Sequence, residues 1–445
     1  MEKHTFSPSI LRKYDIRGIT GQDLNPQDGY FLGLAFVNYL RSQKMELTVA
    51  VAKDARHSGI ELKKAVIEGI VAGGGTVVDC GTCPTPVCYF ASHHFKTQGF
   101  IMVTGSHNPL HYNGFKFGIA GVPFSEEEIL NLATLAKNGV AKHDGGQIVH
   151  KAPIESYIER ITQEIQISNL VFGFNALNGS AGVVLAKLAK KIGGMIFECE
   201  MNENIKTSLD PSNKENILRT QQYLADHNLD IIFMFDGDAD RIMAVTKHKV
   251  LQGEDILLLC ARHVLSQTKG KVIFDVKCSN ALENEIKKCG GLPIMYKTGH
   301  SLIKKKMLEE GAILAGEYSG HIYFEHNYYG FDDGIYTAMR LLSHFAGKNF
   351  DDEIKSIPCA ISSPEIKILS KTKFQDIETL KSEMKKRGLK FNEIDGIRFS
   401  PTPTSWFLIR ASNTEEVLIG RFEGETQEEF EQVKEIFESL ISVIN

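Results

Sequence analysis

The chain has 445 residues, a formal net charge of −5 and 42% hydrophobic residues. This is the composition of a globular protein of about three or four domains, and the negative charge gives no support to nucleic-acid binding. No apolar run reaches the ~18 residues of a membrane span, and the N-terminus has no apolar signal segment, so we expect a cytoplasmic protein without a membrane partner.

The first third of the chain alternates short apolar runs with polar loops and helical patterns. Strands are predicted at Leu47–Ala52, Thr76–Val78 and Phe100–Val103. A helix is predicted over Phe124–Lys137, because Ser125 and Glu128 have the spacing of a capping box.

Two further cycles of strand, loop and helix follow. The second contains Leu170–Phe174 and Asp230–Phe235, and the apolar character of the latter is typical of a strand covered on both faces. The third contains strands at Val272–Phe274, Pro293–Met295 and Ala312–Leu314. The alternation predicts three related α/β domains with mixed, mainly parallel sheets.

The last part of the chain has a different pattern. Strand-like runs cluster at Glu365–Leu369, Trp406–Ile409 and Val417–Ile419, and a final helix follows a second capping signal, Thr426 with Glu429. This predicts a small C-terminal α+β domain. The predicted domains are 1–150, 151–249, 250–357 and 358–445, arranged around a central cleft.

The eight cysteines include one C-x-x-C pair, Cys80 with Cys83. A second pair at zinc-site spacing is absent from the sequence. We therefore interpret these residues as buried reduced thiols at the end of a strand.

The loop Thr104-Gly-Ser-His-Asn-Pro109 directly follows a predicted strand. Ligands bind at the carboxyl ends of strands in open α/β sheets, which places Ser106 where chemistry occurs. We expect Gly105 to allow the sharp backbone conformation that exposes the hydroxyl. The loop lacks the G-x-S-x-G pattern of serine hydrolases.

Three aspartates alternate in Asp236-Gly-Asp238-Ala-Asp240-Arg241, again directly after a predicted strand. Such a concentration of carboxylates repels itself unless a cation neutralises it, and hard oxygen ligands suit Mg²⁺. An EF-hand is excluded, because its sixth position requires glycine and its twelfth glutamate, whereas this chain has Arg241 and Lys247.

Two later loops suggest binding of a phosphorylated sugar. Gly316-Glu-Tyr-Ser-Gly-His321 offers a carboxylate, a hydroxyl and an imidazole for sugar hydroxyls. Arg410-Ala-Ser-Asn-Thr414 offers a guanidinium and small polar side chains that suit a phosphate group.

Together these four loops, in this order, resemble the α-D-phosphohexomutase superfamily, and most closely its bacterial phosphomannomutase/phosphoglucomutase branch. Further matching motifs span nearly the whole chain: Tyr14-Asp-Ile-Arg17, Pro84-Thr-Pro86, Asn113-Gly-Phe-Lys116, Asp275-Val-Lys277-Cys278, Lys297-Thr-Gly-His300 and Phe331-Asp-Asp-Gly-Ile-Tyr336. Phosphoglucosamine mutases are less similar, since they usually have alanine before the serine and Arg-Pro-Ser-Gly-Thr in the phosphate loop.

The resemblance implies a mutase that interconverts hexose 1-phosphate and hexose 6-phosphate, of mannose or glucose, through phospho-Ser106 and a hexose 1,6-bisphosphate. It implies Mg²⁺ held by Ser106, Asp236, Asp238 and Asp240. The implied catalytic residues are Ser106, His107, Lys116, Arg241, Lys277 and His321, with Arg241, Lys116 and Lys277 beside the metal. The implied substrate contacts are Tyr14, Arg17, His300, Glu317, Ser319, Arg410, Ser412, Asn413 and Thr414.

The sequence departs from the family pattern at three places. Lys53 replaces a usual arginine, Tyr318 occupies a sugar-loop position that is often Met, Gln or Glu, and Glu415-Glu416 follows the phosphate loop where proline is common. A phosphatase using the Asp236 loop and a non-catalytic sugar-phosphate binder remain alternative interpretations. The partners are expected to be small sugar phosphates, and the protein a monomer or a small homo-oligomer.

Overall fold

A computed structural model describes residues 1–119, 121–167, 170–200, 208–412 and 416–444. The first domain contains β1 (Ile16–Ile19), α1 (Pro26–Ser42), β2 (Thr48–Lys53), α2 (Gly59–Ala72), β3 (Thr76–Thr82), α3 (Thr85–His94), β4 (Gly99–Val103), β5 (Tyr112–Ile119), β6 (Val122–Pro123), α4 (Glu126–Asn138) and β7 (Gln147–His150). Its sheet has the order β1-β5-β4-β2-β3-β7, with β6 beside β5. Strands β4, β2, β3 and β7 are parallel, and β5 is antiparallel to both β4 and β1.

Two sequence patterns in this domain, the capping box and the cysteine pair, form the predicted local structures. Ser125 and Glu128 form the capping box at the start of α4. Cys80 on β3 and Cys83 directly after it are buried free thiols, and burial raises the pKa of Cys80 to about 12. They are therefore inert packing residues, as the sequence indicated.

The second domain contains α5 (Ile154–Thr162), β8 (Phe172–Asn175), α6 (Gly182–Ile192), β9 (Met195–Phe197), α7 (Lys214–Asp226), β10 (Ile231–Phe235), β11 (Ile242–Thr246) and β12 (Val250–Leu251). The sheet order is β12-β11-β10-β8-β9, and β10 is buried over its whole length, as its apolar sequence predicted. β12 pairs with β11, so this sheet extends past the predicted domain boundary at residue 249. The three predicted domain boundaries otherwise stay predictions.

The third domain contains α8 (Gly253–Gln267), β13 (Lys271–Asp275), α9 (Asn280–Lys288), β14 (Leu292–Tyr296), α10 (His300–Glu310), β15 (Leu314–Gly316), β16 (Ile322–Phe324), α11 (Gly334–Phe345) and α12 (Phe350–Lys355). The sheet order is β14-β13-β15-β16, with β16 antiparallel to β15. The predicted strand at Ala312–Leu314 begins two residues later than expected.

The fourth domain contains β17 (Ile361–Ser362), β18 (Ile366–Leu369), α13 (Lys373–Lys386), β19 (Ile397–Thr402), β20 (Ser405–Ala411), β21 (Val417–Gly424) and α14 (Gln427–Ile441). Its pairings are antiparallel, with the order β17-β21-β20-β19 and β18 beside β21. Thr426 caps α14 as predicted, and the Glu429 carboxylate accepts from the hydroxyls of Thr402 and Thr404 and from the backbone N–H of Glu425.

One arrangement repeats in the first three domains. A buried strand of a parallel pair (β4, β10 or β15) leads into a polar loop, and the chain returns as an antiparallel strand (β5, β11 or β16). The three loops are those of Ser106, Asp236 and Glu317, so each lies at the same position of its own sheet. The largest apolar core joins these domains, with members such as Tyr89, Phe233 and Phe274. Among the described residues, the helices are too short or too polar to cross a membrane.

Candidate active site

Ser106 lies on the loop between β4 and β5, and its side chain faces the second domain. Its Oγ is 2.9 Å from Oδ2 of Asp236 and 3.1 Å from Nδ1 of His107. The residue is 2% exposed and has a φ of +49°, in the left-handed region. A serine held in this conformation is strained, which is typical of a residue whose position serves function.

The reason for Gly105 differs from the sequence expectation. The left-handed conformation belongs to Ser106 itself, and Gly105 is instead required for close approach. A Cβ at Gly105 would lie 2.5 Å from Cζ of Arg56 and 2.8 Å from the carbonyl oxygen of Tyr112. A side chain here would therefore displace the guanidinium that holds the loop.

Arg56 is the residue that organises the serine loop. Its guanidinium donates to the carbonyls of Ser106 at 2.7 Å and of Asn108 at 2.6 Å, and also to those of Pro109 and Tyr112. Asp54 orients it through Nε at 3.1 Å and also accepts from Thr104 Oγ1 at 2.8 Å. Sequence reasoning missed this pair, although both residues directly follow β2, the strand next to β4.

Asp236, Asp238 and Asp240 follow β10 and are fully buried, with one oxygen from each within 4.8 Å of the others. Lys116 on β5 donates to Asp238 at 2.7 Å and to Asp240, and Thr85 donates to Asp238 at 2.5 Å. Among the described residues Asp238 Oδ1 has no hydrogen-bond partner, and Asp240 Oδ1 has only the imidazole of His321 at 3.4 Å. These unused oxygens form a donor set that fits Mg²⁺.

The charges within this cluster are unequal. Burial raises the pKa of Asp236 well above its ordinary range, and the carboxylates of Asp240 and Asp238 add to the effect. Burial acts in the same direction on Asp240, but Lys116 and His321 outweigh it and hold that pKa well below its ordinary range. Asp236, the carboxylate beside the serine hydroxyl, is therefore the one that most needs a cation.

The loop from Gly316 to His321 (the sugar loop) approaches the loop from Asp236 to Arg241 (the carboxylate loop) through contacts between Arg241 and His321. The two residues form an isolated antiparallel bridge, and Arg241 Nε lies 3.2 Å from His321 Nε2. His321 Nδ1 is 3.0 Å from Glu317 and 3.1 Å from Ser319 Oγ. Burial alone would raise the pKa of Glu317, but hydrogen bonds from His321 and the Gly299 backbone hold it at about 2. Glu317 is thus a fixed negative charge at this edge.

Three predicted contacts lie around these loops. Arg17 donates to the Gly105 carbonyl at 3.0 Å and to Asn108 at 2.5 Å, so it contacts the serine loop. The ring of His300 lies beside that of His321 in a tilted arrangement with centroids 5.7 Å apart, and burial lowers the pKa of His300 to about 3. The Tyr14 ring contacts His300 edge-on at 5.7 Å, and its hydroxyl donates to the Thr298 carbonyl. These side chains bring the first and third domains together.

The sequence matches the phosphoglucomutase/phosphomannomutase family in four segments. These are alpha/beta/alpha domain I over residues 8–160, domain II over 155–249, domain III over 252–358 and the C-terminal domain over 365–440. The chain belongs to this family.

The similarity to individual proteins agrees with this family membership. The chain is 38% identical to the phosphomannomutase/phosphoglucomutase of Pseudomonas aeruginosa over 99% of this chain and 97% of the relative. It is 37% identical to the phosphoglucomutase of Neisseria gonorrhoeae over 97% and 96%. A phosphoglucomutase/phosphomannomutase family protein from Burkholderia thailandensis, known from its crystal structure, superposes with a TM-score of 0.92 at 34% identity, over 99% and 98% of the two chains.

Lys277 of this phosphoglucomutase/phosphomannomutase family member does not lie at the carboxylate cluster. Its ammonium pairs with Glu365 of the fourth domain at 2.9 Å and sits 5.3 Å from the ring of Tyr318. The structure therefore brings Lys116 and Arg241 to the proposed metal loop, but not the third cation expected there.

Tyr318, the unusual residue of the sugar loop, points toward the fourth domain. The guanidinium of Arg421 stacks on its ring at 4.2 Å and also lies 5.3 Å from the ring of Trp406. Trp406 has Arg398 on its ring at 3.8 Å. Tyr318 therefore belongs to a stack between the third and fourth domains, away from Ser106.

The phosphate loop is only partly described. Arg410 on β20 is 3% exposed and donates from Nε to Asp395 at 3.0 Å, and Asp395 also accepts from the Thr298 backbone at 3.1 Å. Ser412 is buried beside it, and its carbonyl accepts from Lys373. Asn413 and Thr414, also predicted in this loop, lie outside the described residues. Arg410 therefore reaches the third domain through the same backbone that Tyr14 contacts.

Proposed function

We propose that this family member is a phosphohexomutase that interconverts hexose 1-phosphate and hexose 6-phosphate, of mannose, glucose or both. The observation that carries the proposal is the 2.9 Å contact between Ser106 Oγ and Asp236, at the edge of a buried cluster of three carboxylates. A hydroxyl in this place is positioned to carry a phosphoryl group next to a divalent cation.

Asp236, Asp238 and Asp240, together with an oxygen on Ser106, would hold Mg²⁺. The bound ion supplies electrostatic stabilisation of the phosphoryl group as negative charge develops on its oxygens. The oxygens of Asp238 and Asp240 that Lys116 does not use support this assignment.

The transfer itself is a displacement at phosphorus. A hydroxyl oxygen of the hexose forms a bond to the phosphorus of phospho-Ser106, and the bond from phosphorus to Ser106 Oγ breaks. One proton leaves the hexose hydroxyl and one is taken up by the departing Ser106 Oγ, so the products are a hexose 1,6-bisphosphate and Ser106 with a free hydroxyl. The second half of the cycle is the same step in reverse, with the other phosphate of the bisphosphate facing Ser106.

The cationic side chains of the site would stabilise the negative charge on the phosphoryl group during the transfer. Burial disfavours a charged Lys116, but Asp238 and Asp240 outweigh it and raise the pKa of the ammonium, which therefore stays protonated. Arg241 and burial lower the pKa of His107 well below its ordinary range, so its neutral ring lies 3.1 Å from Ser106 Oγ. We assign Lys116 and Arg241 to charge stabilisation. Because Lys116 stays protonated it is a candidate proton donor only, and His321 is the other candidate for proton transfer.

The bisphosphate intermediate must bind in two opposite orientations. We therefore assign the binding residues away from Ser106 to ligand groups that are present in both orientations, the ring hydroxyls and the phosphate far from Ser106. Glu317 and Ser319 would bind ring hydroxyls, and Arg410 with residues 412–414 would bind the distal phosphate. Tyr14, Arg17 and His300 would line the cleft. Arg410 must exchange Asp395 for phosphate, a replacement that bidentate Arg–phosphate pairing makes favourable.

The deciding experiment is an assay of Ser106→Ala with glucose 1-phosphate and mannose 1-phosphate, Mg²⁺ and trace hexose 1,6-bisphosphate. We expect a loss of at least about 1,000-fold in kcat, since a missing nucleophile has no substitute. Ser92→Ala, at a buried serine on α3, is the matched control and should retain activity.

Mass spectrometry of the purified protein should find one phosphate on Ser106. A phosphatase would keep hydrolytic activity in Ser106→Ala, and a non-catalytic binder would carry no phosphate and show no response to the bisphosphate. Either result would contradict the mutase assignment.

The ratio of the wild-type rates with glucose 1-phosphate and mannose 1-phosphate gives the sugar preference. A cytoplasmic location, the bisphosphate as activator and a monomer or small homo-oligomer complete the proposal.

A further inference from the structure

A cavity lies away from Ser106, where the second domain meets the third. It has a volume of about 160 Å³ and is lined by residues of α5, α8 and α11. Arg160, His263, Arg340 and Glu164 are its ionisable lining residues. None of the residues that we assign to the phosphohexomutase reaction lines it.

Arg340 has only uncharged partners. Its guanidinium donates to the His326 carbonyl at 3.1 Å and to the Tyr336 hydroxyl at 3.0 Å, and it lies 3.2 Å from His326 Nδ1. The residue is 7% exposed, and no carboxylate of the described residues lies within 4.0 Å of it. The aromatic rings of Phe324 and Tyr336 stack on it, but they offset only part of the cost of burying an unpaired charge.

Arg160 adds a second guanidinium without a counter-ion. It donates to the Asn327 carbonyl and stacks on Tyr328 and Tyr329, at 5.3 and 5.4 Å from the ring centroids. Within the described part of the chain, Arg160 also has no carboxylate within 4.0 Å. Glu164 lines the cavity, and its carboxylate accepts from the amide of Asn327 at 3.5 Å. The cavity therefore has an excess of positive charge.

We propose that this cavity is a binding site for a small phosphate-bearing anion. Two guanidinium groups match the two negative charges and the oxygen geometry of a phosphate group. The cavity volume of about 160 Å³ gives room for a phosphate group with few attached atoms. The ligand is therefore inorganic phosphate or a short phosphate ester.

The state of His263 supports the same conclusion. Burial, Arg340 and His344 lower its pKa to about 3, so the ring is neutral beside two arginines. A bound dianion would oppose this effect, and the ring is thus a local reporter of occupancy.

Helix α11 connects the cavity to the carboxylate loop. Its first residue, Gly334, donates to the Ala239 carbonyl at 3.2 Å, and Tyr336, Arg340 and Ser343 face the cavity farther along. Arg340 is six residues from Gly334, about 9 Å along the axis at the usual rise. The two sites are therefore separate places on one rigid element.

The test is a titration of the full-length protein with inorganic phosphate, with the histidine ring signals followed by NMR. We expect a saturable shift of the His263 signal in the wild-type protein. The affinity for phosphate obtained from this shift should fall at least about tenfold in Arg340→Gln and in Arg160→Gln. The shift should persist in Arg410→Gln, which removes the proposed phosphate contact of the catalytic site. Arg387→Gln, at an exposed arginine, is the control for general charge effects.

Parallel titrations with glycerol 3-phosphate and acetate define the ligand. Tighter binding of glycerol 3-phosphate than of phosphate would identify a short ester, and the reverse order would identify free phosphate. An absent His263 shift, or a shift unchanged in both arginine variants, would overturn the site. Equal binding of acetate would overturn the phosphate assignment. Arg160 is only half-buried, so its variant keeps the test valid if Arg340→Gln fails to fold.

Discussion

The guanidinium of Arg56 donates a 2.7 Å hydrogen bond to the carbonyl of Ser106, the residue that holds a left-handed φ of +49°. The strained serine is thus fixed by a side chain 50 residues earlier in the chain. Asp54 in turn fixes Arg56, and both residues are almost fully buried. The position of the proposed phosphoryl carrier therefore depends on the buried ion pair of Asp54 with Arg56.

Arg56→Lys tests this dependence. A lysine cannot reach four carbonyl groups from one planar fork, so we expect the serine loop to relax and kcat/KM to fall at least about 100-fold. The free energy of unfolding should fall by about 3 kcal/mol, because several buried carbonyl oxygens lose the guanidinium donors that now satisfy them. Arg387→Lys, at an exposed pair with Glu383, should change stability by less than about 0.5 kcal/mol. Wild-type kinetics for Arg56→Lys would contradict the anchoring role.

Gly237→Ala tests the spacing between the serine loop and the carboxylate loop. A Cβ at Gly237 would lie 2.5 Å from the carbonyl oxygen of Ser106 and 3.0 Å from Cδ1 of Leu209. Because backbone atoms must move apart, we expect kcat to fall about 100-fold and affinity for Mg²⁺ to decrease. Gly173→Ala on β8 is the matched control, since its Cβ meets the flexible Leu229 side chain at 3.1 Å. Equal effects of the two substitutions would argue against this explanation.

Tyr318→Met tests whether the unusual tyrosine selects the sugar. Its ring stacks on Arg421, so we expect the ratio of mannose to glucose activity to stay as in the wild type. Loss of the ring should instead weaken the boundary between the third and fourth domains by about 1–2 kcal/mol. Trp406, the chain's one tryptophan, lies in the same stack and reports this change by fluorescence. Tyr318→Phe keeps the ring and should keep the signal, whereas a changed sugar ratio in Tyr318→Met would place Tyr318 in substrate recognition.

Asp333→Asn tests a buried carboxyl at the start of α11. Burial raises its pKa to about 7 from an ordinary 3.8, although Tyr336 N–H and the hydroxyls of Tyr328 and Tyr157 donate to it. Between these values the folded state binds more protons than the unfolded state, so the free energy of unfolding falls as the pH rises from about 4 to about 7. Urea denaturation across this range should show a smaller decline for Asp333→Asn than for the wild type. Parallel curves for the two proteins would contradict the buried, protonated state.

Sequence patterns were sufficient for the parts of the fold that depend on neighbours in the chain. The Ser125 capping box and the fully buried β10 follow from residues within a few positions of one another. The loops of Ser106, Asp236 and Glu317 were also predicted, because each directly follows an apolar strand. Their order along the chain carried the family resemblance.

The tertiary structure decided which side chains meet, because these contacts join residues far apart in the chain. Ser106 and Asp236 are 130 positions apart, and Lys116 and Asp240 are 124 apart. Arg56 carried no recognisable signal, since its partners are backbone carbonyls that any sequence supplies. Likewise, the direction of Tyr318 toward Arg421 and of Lys277 toward Glu365 depends on how the fourth domain packs. Local patterns fix strands, caps and loops, whereas burial and charge pairing between distant segments fix the site.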